Sequence, residues 1–246
     1  HIEAHSFPTR RSSDLTKELS VTDAVKTFSS EMGTPVRALN SVNLTIPTGS
    51  HVAIMGPSGS GKSTLLHCMS GILPLDAGTV MFAGTNLAAL REKQRSKIRR
   101  EHMGFVFQDG ALLPELTNEE NVAMPLLLAG MSLPSALPHA REWLVRLGLA
   151  DAARRRPGQI SGGQAQRVAI ARAMVASPAV VFADEPTGAL DQNTGAQVMQ
   201  LLIQACTSTG ATLVLVTHDD AIAAWCPRLV TMRDGNIVAD QMRVAK

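Results

Sequence analysis

One glycine-rich run holds the residue types best suited to binding phosphate. It fits the pattern G-x-x-x-x-G-K-[ST], and it lies between an apolar stretch that predicts a strand (51–55) and one that predicts a helix (65–69). This strand–loop–helix context favours a phosphate-binding P-loop over a glycine-rich turn that holds no ligand. The candidate binding residues are Gly56, Pro57, Ser58, Gly59, Ser60, Gly61, Lys62, Ser63 and Thr64.

The chemistry of this P-loop would depend on backbone N–H groups and two side chains. Glycines allow the backbone to wrap closely around an anion. The loop N–H groups and the helix N-terminus then face that anion together. Lys62 would reach the β- and γ-phosphates, and the Ser63 hydroxyl would bind Mg²⁺.

Two adjacent carboxylates end the apolar run 180–183. Paired acids at a strand end repel each other unless a cation lies nearby, so a metal site is the natural interpretation. The pattern matches a Walker B element, with Asp184 on Mg²⁺ and Glu185 beside the attacking water.

Polar residues follow two further predicted strands, and these residues are expected at the same edge of an α/β sheet. Gln108 follows residues 104–107, and His218 follows residues 212–217. Ligands bind at the carboxyl ends of parallel strands in such folds. Gln108 is weak evidence by itself. A functional role for His218 is favoured over a structural one because the other strand ends already carry reactive groups.

A second anion site is predicted where the helical run 164–176 begins. Ser161, Gly162, Gly163 and Gln164 form this signature segment, with a serine and two glycines at a helix N-terminus. Two anion sites make sense if the second completes the first across a dimer. Asp191 is predicted to be the N-cap of another helix, which Gly210 ends.

The N-terminal part of the chain predicts an antiparallel sheet. Residues 19–28 have strand character, and the apolar residues at 42, 44 and 46 alternate. Phe28 closes the first strand. It can be a core or edge aromatic, or a platform on which a nucleotide base stacks, and the sequence leaves both open.

Bulk composition excludes several classes. The net charge of +2 is too small to indicate a nucleic-acid binder, and the three cysteines lack the spacing of a metal site. No apolar run approaches the roughly 20 residues that span a bilayer. The basic stretch 88–100 predicts a helix with a solvated face, which is favoured over a phosphate or lipid-headgroup patch.

In this order, these motifs resemble the nucleotide-binding subunit of ATP-binding-cassette (ABC) transporters over about residues 19–239. Segments 56–66, 121–126 and 183–188 resemble most the group that contains the macrolide-exporter, lipoprotein-releasing and division-linked FtsE-type ATPases. The resemblance implies an α/β fold: a P-loop NTPase (RecA-like) core with an antiparallel β subdomain and an inserted α-helical subdomain. We expect one domain over residues 17–240, with the helical part at 109–170.

The resemblance also implies roles for individual residues. Phe28 occupies the adenine-stacking position, where tyrosine is usual, and Gln108 is the Q-loop residue that touches Mg²⁺ and water. The signature segment would bind the γ-phosphate of ATP on the opposite subunit. Glu185 would be the general base, and His218 the switch residue at the γ-phosphate. Asp191 would be the D-loop acid at the dimer interface.

The expected function is ATP hydrolysis by a homodimer, with ATP and Mg²⁺, coupled to a separate FtsX- or MacB-like permease. We expect a peripheral location on the cytoplasmic face of the plasma membrane, with no membrane span and no nucleic-acid partner. The alternatives are a soluble ABC ATPase of DNA repair or chromosome structure, an FtsE-like division ATPase, and a non-catalytic nucleotide sensor. The sensor predicts loss of Glu185 or His218, and both are present. Residues 1–16 are interpreted as a disordered tail or sequence artefact, and 241–246 as a tail.

Overall fold

The computed structural model of the chain describes residues 17–29, 33 and 35–243. The interpretation of residues 1–16 therefore lies outside the described residues, as do residues 244–246 of the predicted C-terminal tail. The described chain forms two sheets with helices packed against them. The predicted α/β class is confirmed.

The larger sheet has six strands in the order β10-β9-β3-β8-β7-β6. Strand β3 pairs in parallel with β8 on one side and β9 on the other, and β8-β7-β6 continue in parallel. Buried aliphatic runs explain this placement, since strands covered on both faces read as continuous apolar segments. The strands are β3 (His51–Met55), β6 (Met103–Phe107), β7 (Val180–Asp184), β8 (Thr212–Thr217), β9 (Arg228–Arg233) and β10 (Asn236–Met242).

The predicted antiparallel sheet is present as a four-stranded sheet in the order β2-β1-β4-β5. Its strands are β1 (Leu19–Phe28), β2 (Val36–Ile46), β4 (Ala77–Phe82) and β5 (Thr85–Asn86). A hydrophobic core formed by buried residues of both sheets and of helix α1 (Lys62–Met69) lies between them. The antiparallel sheet is thereby held against the element that follows the P-loop.

Three helices lie between β6 and β7, where the helical subdomain is expected. They are α3 (Asn118–Leu128), α4 (Leu133–Arg146) and α5 (Gly162–Met174). Helix α3 begins at a capping box of Thr117 and Glu120. Helix α5 runs four residues beyond the expected boundary at 170 and packs on β6, so it belongs to both parts of the molecule.

The remaining helices flank the sheets. They are α2 (Glu92–His102), α6 (Gln192–Thr209) and α7 (Asp220–Ala223). Asp191 caps α6 and Gly210, in the left-handed conformation, ends it, which confirms both predictions. The basic helix α2 begins at Glu92, later than predicted, because residues 87–89 form a 3₁₀ turn and Leu90 and Arg91 are extended.

The C-terminal hairpin has a role that the sequence does not indicate. β9 and β10 pair antiparallel, and β9 also extends the core sheet beside β3. β10 continues to Met242, two residues past the expected end of the domain. Within residues 17–29, 33 and 35–243, no helix is both long and apolar enough to cross a membrane.

Candidate active site

The P-loop connects β3 to α1 and is packed tightly on its outer side. Gly61 is the N-cap of α1 at φ +98°, and a Cβ there would lie 2.3 Å from the Ala38 carbonyl oxygen. A Cβ on Gly56 would lie 2.2 Å from the Met232 carbonyl oxygen. The backbones of β2 and β9 thus approach the loop so closely that only glycine fits at these two positions.

One P-loop side chain is suited to receive an anion. Lys62 is 8% exposed and lines the cleft described below, and its Nζ donates to the carbonyl oxygens of Gly56 and Pro57 at 2.9 Å. The Ser60 hydroxyl lies on the packed side of the loop, 2.7 Å from where a Cβ on Gly56 would stand. It is buried and has no hydrogen-bond partner within the described part of the chain.

The predicted metal ligands Ser63 and Asp184 lie together. The Ser63 hydroxyl donates to Asp184 Oδ1 at 3.1 Å. Burial raises the pKa of Asp184, and the hydrogen bond from Ser63 acts in the opposite direction. A hydroxyl and a carboxylate are hard oxygen ligands of the kind Mg²⁺ prefers, with phosphate and water completing its shell. These residues therefore fit the expected ion.

Glu185 has a strained backbone and a defined partner. Its φ is +48°, in the left-handed region, and its N–H donates to the Val216 carbonyl at 2.9 Å. Its Oε1 accepts from His218 Nδ1 at 2.8 Å, and Thr217 Oγ1 lies 3.4 Å from Oε2. Strain of this kind persists only where the surroundings fix it and often marks functional sites.

The P-loop, Glu185 and His218 line one cleft of about 700 Å³. The Phe28 ring is 41% exposed and stands in the wall of this cleft, so it is not a core residue. The residues that form the wall are Phe28, Ala38, Pro57, Ser58, Gly59, Gly61, Lys62, Ser63, Thr64, Glu185 and His218.

Gln108 lies apart from this cleft wall. Its side chain packs beside Gly188, where an added Cβ would be 3.0 Å from Gln108 Nε2. The preceding residue, Phe107, is held by Gln166 of α5, whose Nε2 donates to the Phe107 carbonyl at 2.8 Å. The proposed contact of Gln108 with Mg²⁺ and water stays a prediction.

The signature segment forms a second cluster, with Asp191. Ser161 caps α5, its hydroxyl accepting from the Gln164 N–H at 3.3 Å, and Gln164 Oε1 accepts from the Ser161 N–H. A Cβ on Gly163 would lie 2.4 Å from Thr194 Cγ2, and Asp191 accepts from the Thr194 N–H at 3.0 Å. The hydrogen bonds that Asp191 accepts from Thr194 lower the pKa of its carboxyl group.

The structure also places residues at the site that the sequence reasoning did not select. Thr217 bonds Glu185, and its position directly before His218 at a strand end was an available signal. Ala38 lines the cleft through strand β2. No local pattern identifies Ala38, because its position results from the packing of β2 against the P-loop.

Comparison with known proteins identifies this arrangement. The family model described as ABC transporter matches residues 39–188, more than half of the chain. The chain belongs to the ABC transporter family. It is an ATP-binding, ATP-hydrolysing cassette of that family, as the sequence motifs predict.

Relatives of this ABC cassette fall in the predicted group. It is 45% identical to the lipoprotein-releasing system ATP-binding protein LolD of Geobacter metallireducens, covering 90% of this chain and 98% of the relative. It is 46% identical to the macrolide export ATP-binding/permease protein MacB of Rhodopseudomonas palustris, over 84% of this chain and 32% of that longer protein.

Among solved structures, the cassette resembles the ATP-binding cassette MJ0796 in a dimeric post-hydrolysis state bound to ADP and Pi. The TM-score is 0.84 at 39% identity, and the match covers 91% of this chain and 98% of that one. The fold and the ATPase class are thus supported at the level of sequence and of backbone.

Substitution of Gly61 tests the packing of the P-loop. In Gly61→Ala the new methyl group meets the Ala38 carbonyl, so we expect stability to fall by about 2–3 kcal/mol, from overpacking and left-handed strain together. Gly59→Ala is the matched control, since Gly59 is also left-handed at φ +78° but an added Cβ meets nothing within 4 Å. Equal midpoints of urea unfolding for the two variants would contradict this account.

Proposed function

We propose that this chain is the ATPase subunit of a membrane export complex, and that two copies close around two ATP molecules to drive a separate permease. The observation that carries the proposal is the division of the site into two clusters. The cleft holds the P-loop, Glu185 and His218, whereas the signature segment and Asp191 form their own cluster around the start of α5.

A second copy resolves this division. The signature segment places a serine and two glycines at the N-terminus of α5, a composition that favours an anion. The cleft of one chain leaves the γ-phosphate open on one side. Head-to-tail packing of two copies would cover it with the partner's signature segment. The dimeric state in the name of the MJ0796 structure supports the same arrangement here.

The side chains of the cleft then have distinct tasks. Lys62 would exchange its bonds to two backbone carbonyls for the β- and γ-phosphate oxygens. Ser63 and Asp184 would hold Mg²⁺, which neutralises phosphate charge when bound. The ammonium group of Lys62 would stabilise the negative charge that develops during phosphoryl transfer.

Glu185 and His218 would act on the attacking water and the γ-phosphate. The carboxylate is oriented by the imidazole at 2.8 Å, and the strained backbone fixes its direction. It would orient the water and accept its proton, while His218 would donate to the γ-phosphate. Binding of ATP favours the closed dimer and hydrolysis removes that preference, so a partner can convert the cycle into movement.

The relatives suggest the kind of complex. The name of LolD refers to lipoprotein release. The name of MacB refers to macrolide export and to an ATP-binding part and a permease in one protein. We infer that this chain serves a permease of the MacB or FtsX kind from the cytoplasmic face of the inner membrane.

Removal of the P-loop cation tests the phosphate site. Lys62→Ala should lower kcat/KM for ATP by at least about 100-fold, a loss of roughly 2.7 kcal/mol of transition-state stabilisation, because it deletes a buried charge at the phosphates. Lys97→Ala is the control, since its side chain is 66% exposed on α2. Phosphate-release assays on both variants decide the matter, and turnover of Lys62→Ala near that of the unmodified protein would remove the P-loop assignment.

Neutralisation of Glu185 tests the dimer. Glu185→Gln keeps the size of the side chain but removes the base, so the variant should bind ATP, hydrolyse it very slowly and elute as a dimer on size exclusion. Lys62→Ala/Glu185→Gln is the control, and it should remain monomeric because it cannot hold ATP. An ATP-loaded Glu185→Gln monomer would contradict the sandwich.

The same Glu185→Gln variant, added with Mg-ATP to its native membranes, tests the partner. We expect it to retain a permease with few spans and a large extracytoplasmic domain. Recovery of a many-span permease would overturn the assignment to the MacB-like group. Recovery of only soluble or DNA-bound proteins would overturn the transport role and favour the soluble ABC alternative.

A further inference from the structure

A carboxylate far from the catalytic groups holds the strand end that carries Phe28. Asp76 precedes β4 and lies 50 positions after Lys26 in the chain. Its Oδ1 accepts from Lys26 Nζ at 2.8 Å and its Oδ2 from the Thr27 N–H at 2.6 Å. Its own N–H donates to the Val25 carbonyl at 2.9 Å. One residue therefore holds three successive positions of β1.

This contact replaces a missing strand pair. β1 pairs with β4 only as far as Val25, opposite Ala77. Beyond that point the strand continues to Phe28 and, among the described residues, pairs on the β2 side alone, where Phe28 lies opposite Val36. The Asp76 carboxylate supplies the acceptor on the other side, so the last residues of β1 keep a fixed course without a strand on that side.

The cation held by Asp76 also contacts the aromatic ring. Lys26 Nζ lies 5.8 Å from the centroid of the Phe28 ring, within the range of a cation–π interaction. The Lys26 side chain is only 11% exposed, so its position is well defined. The ring is thus held by its own backbone and by the ammonium group above it, while Phe28 lines the cleft and is 41% exposed.

We propose that Asp76 and Lys26 are positioning residues for Phe28, and that together they set the affinity of the site for the base of the nucleotide. The inference rests on the proposed ATP site and on the adenine-stacking position that the family resemblance implies for Phe28. It adds that the platform is preorganised by an ion pair that touches neither the phosphates nor Glu185.

This arrangement predicts a specific kinetic change. Loss of the ion pair lets the strand end and the ring move, so part of the base-stacking energy is lost before the reacting groups are affected. A change confined to the base lowers the affinity for ground state and transition state equally, and KM rises while kcat stays constant. Binding of a ligand without a base should not change.

The experiment measures KM and kcat for ATP, together with inhibition by inorganic tripolyphosphate, in the full chain. Asp76→Ala should raise KM about three- to tenfold, a fraction of a full base-stacking contribution, with kcat within about twofold. Inhibition by tripolyphosphate should be unchanged. Lys26→Met, which keeps the side-chain stem, should raise KM in the same direction and provides a second variant if Asp76→Ala folds poorly.

The matched control is Asp240→Ala. Asp240 pairs with Arg228 across β9 and β10, with side-chain exposures of 40% and 17% that resemble the 43% and 11% of Asp76 and Lys26. Both variants lose an ion pair in which the carboxylate is exposed and the cation is largely covered, so their melting temperatures should fall by similar amounts. KM should rise only in Asp76→Ala.

The decisive measurement repeats Asp76→Ala in a Phe28→Ala background. If Asp76 acts through the ring, its effect on KM should almost vanish there. An equal rise of KM in both backgrounds, an unchanged KM in Asp76→Ala, or weaker inhibition by tripolyphosphate would overturn the proposal. An unchanged KM in Phe28→Ala alone would remove the base platform itself and with it this inference. Loss of hydrolysis in Lys62→Ala tests the proposed ATPase site independently of both.

Discussion

The register of four parallel strands is the constraint on which the active site depends. Met55 of β3 lies opposite Thr217 of β8, and Asp184 of β7 lies between Val216 of β8 and Phe107 of β6. Each strand ends within a residue of its neighbour, so the groups that follow them emerge at one edge. A slip of one residue would reverse which face of the sheet each side chain occupies. The P-loop, the two carboxylates and His218 owe their proximity to this alignment, and Gln108 emerges at the same edge beside Gly188.

The P-loop is packed more tightly on the side that contacts β2 and β9 than on the side that faces the cleft. Behind the P-loop, the carbonyls of Ala38 and Met232 approach so closely that Gly61 and Gly56 have no room for a Cβ. On the side that faces the cleft, Lys62 donates to two backbone carbonyls, which it can exchange for phosphate oxygens. Rigid backing with exchangeable polar groups in front is the arrangement that preorganised electrostatic stabilisation requires.

Helix α5 connects the helical part of the molecule to strand β6 of the six-stranded sheet. Its N-terminus carries Ser161, while Gln166 holds the carbonyl of Phe107, and Arg172 donates to the carbonyls of Gly110 and Ala111 at 2.7 and 2.6 Å. The segment that follows Gln108 is therefore fixed to the same helix that begins with the signature segment.

The sequence by itself determined the features that short-range spacing controls. The P-loop, the paired acids and the caps Thr117, Ser161 and Asp191 involve residues within a few positions of each other, so their geometry follows from local backbone rules. The strand ends at Gln108 and His218 were predictable for the same reason. The order of the motifs along the chain supported the resemblance to the ABC family, and segments 56–66, 121–126 and 183–188 indicated the group within that family.

Only the tertiary structure decided how distant segments meet. β9 joins the core sheet beside β3, Phe28 stands in the cleft wall, and Gln108 packs beside Gly188 away from that wall. The ion pair of Lys26 and Asp76 bridges 50 positions. No periodicity encodes such contacts, since they depend on which faces become buried when the two sheets and α1 pack around a shared core. Helix α2 begins at Glu92 and not at the predicted residue 88, because residues 87–89 form a 3₁₀ turn.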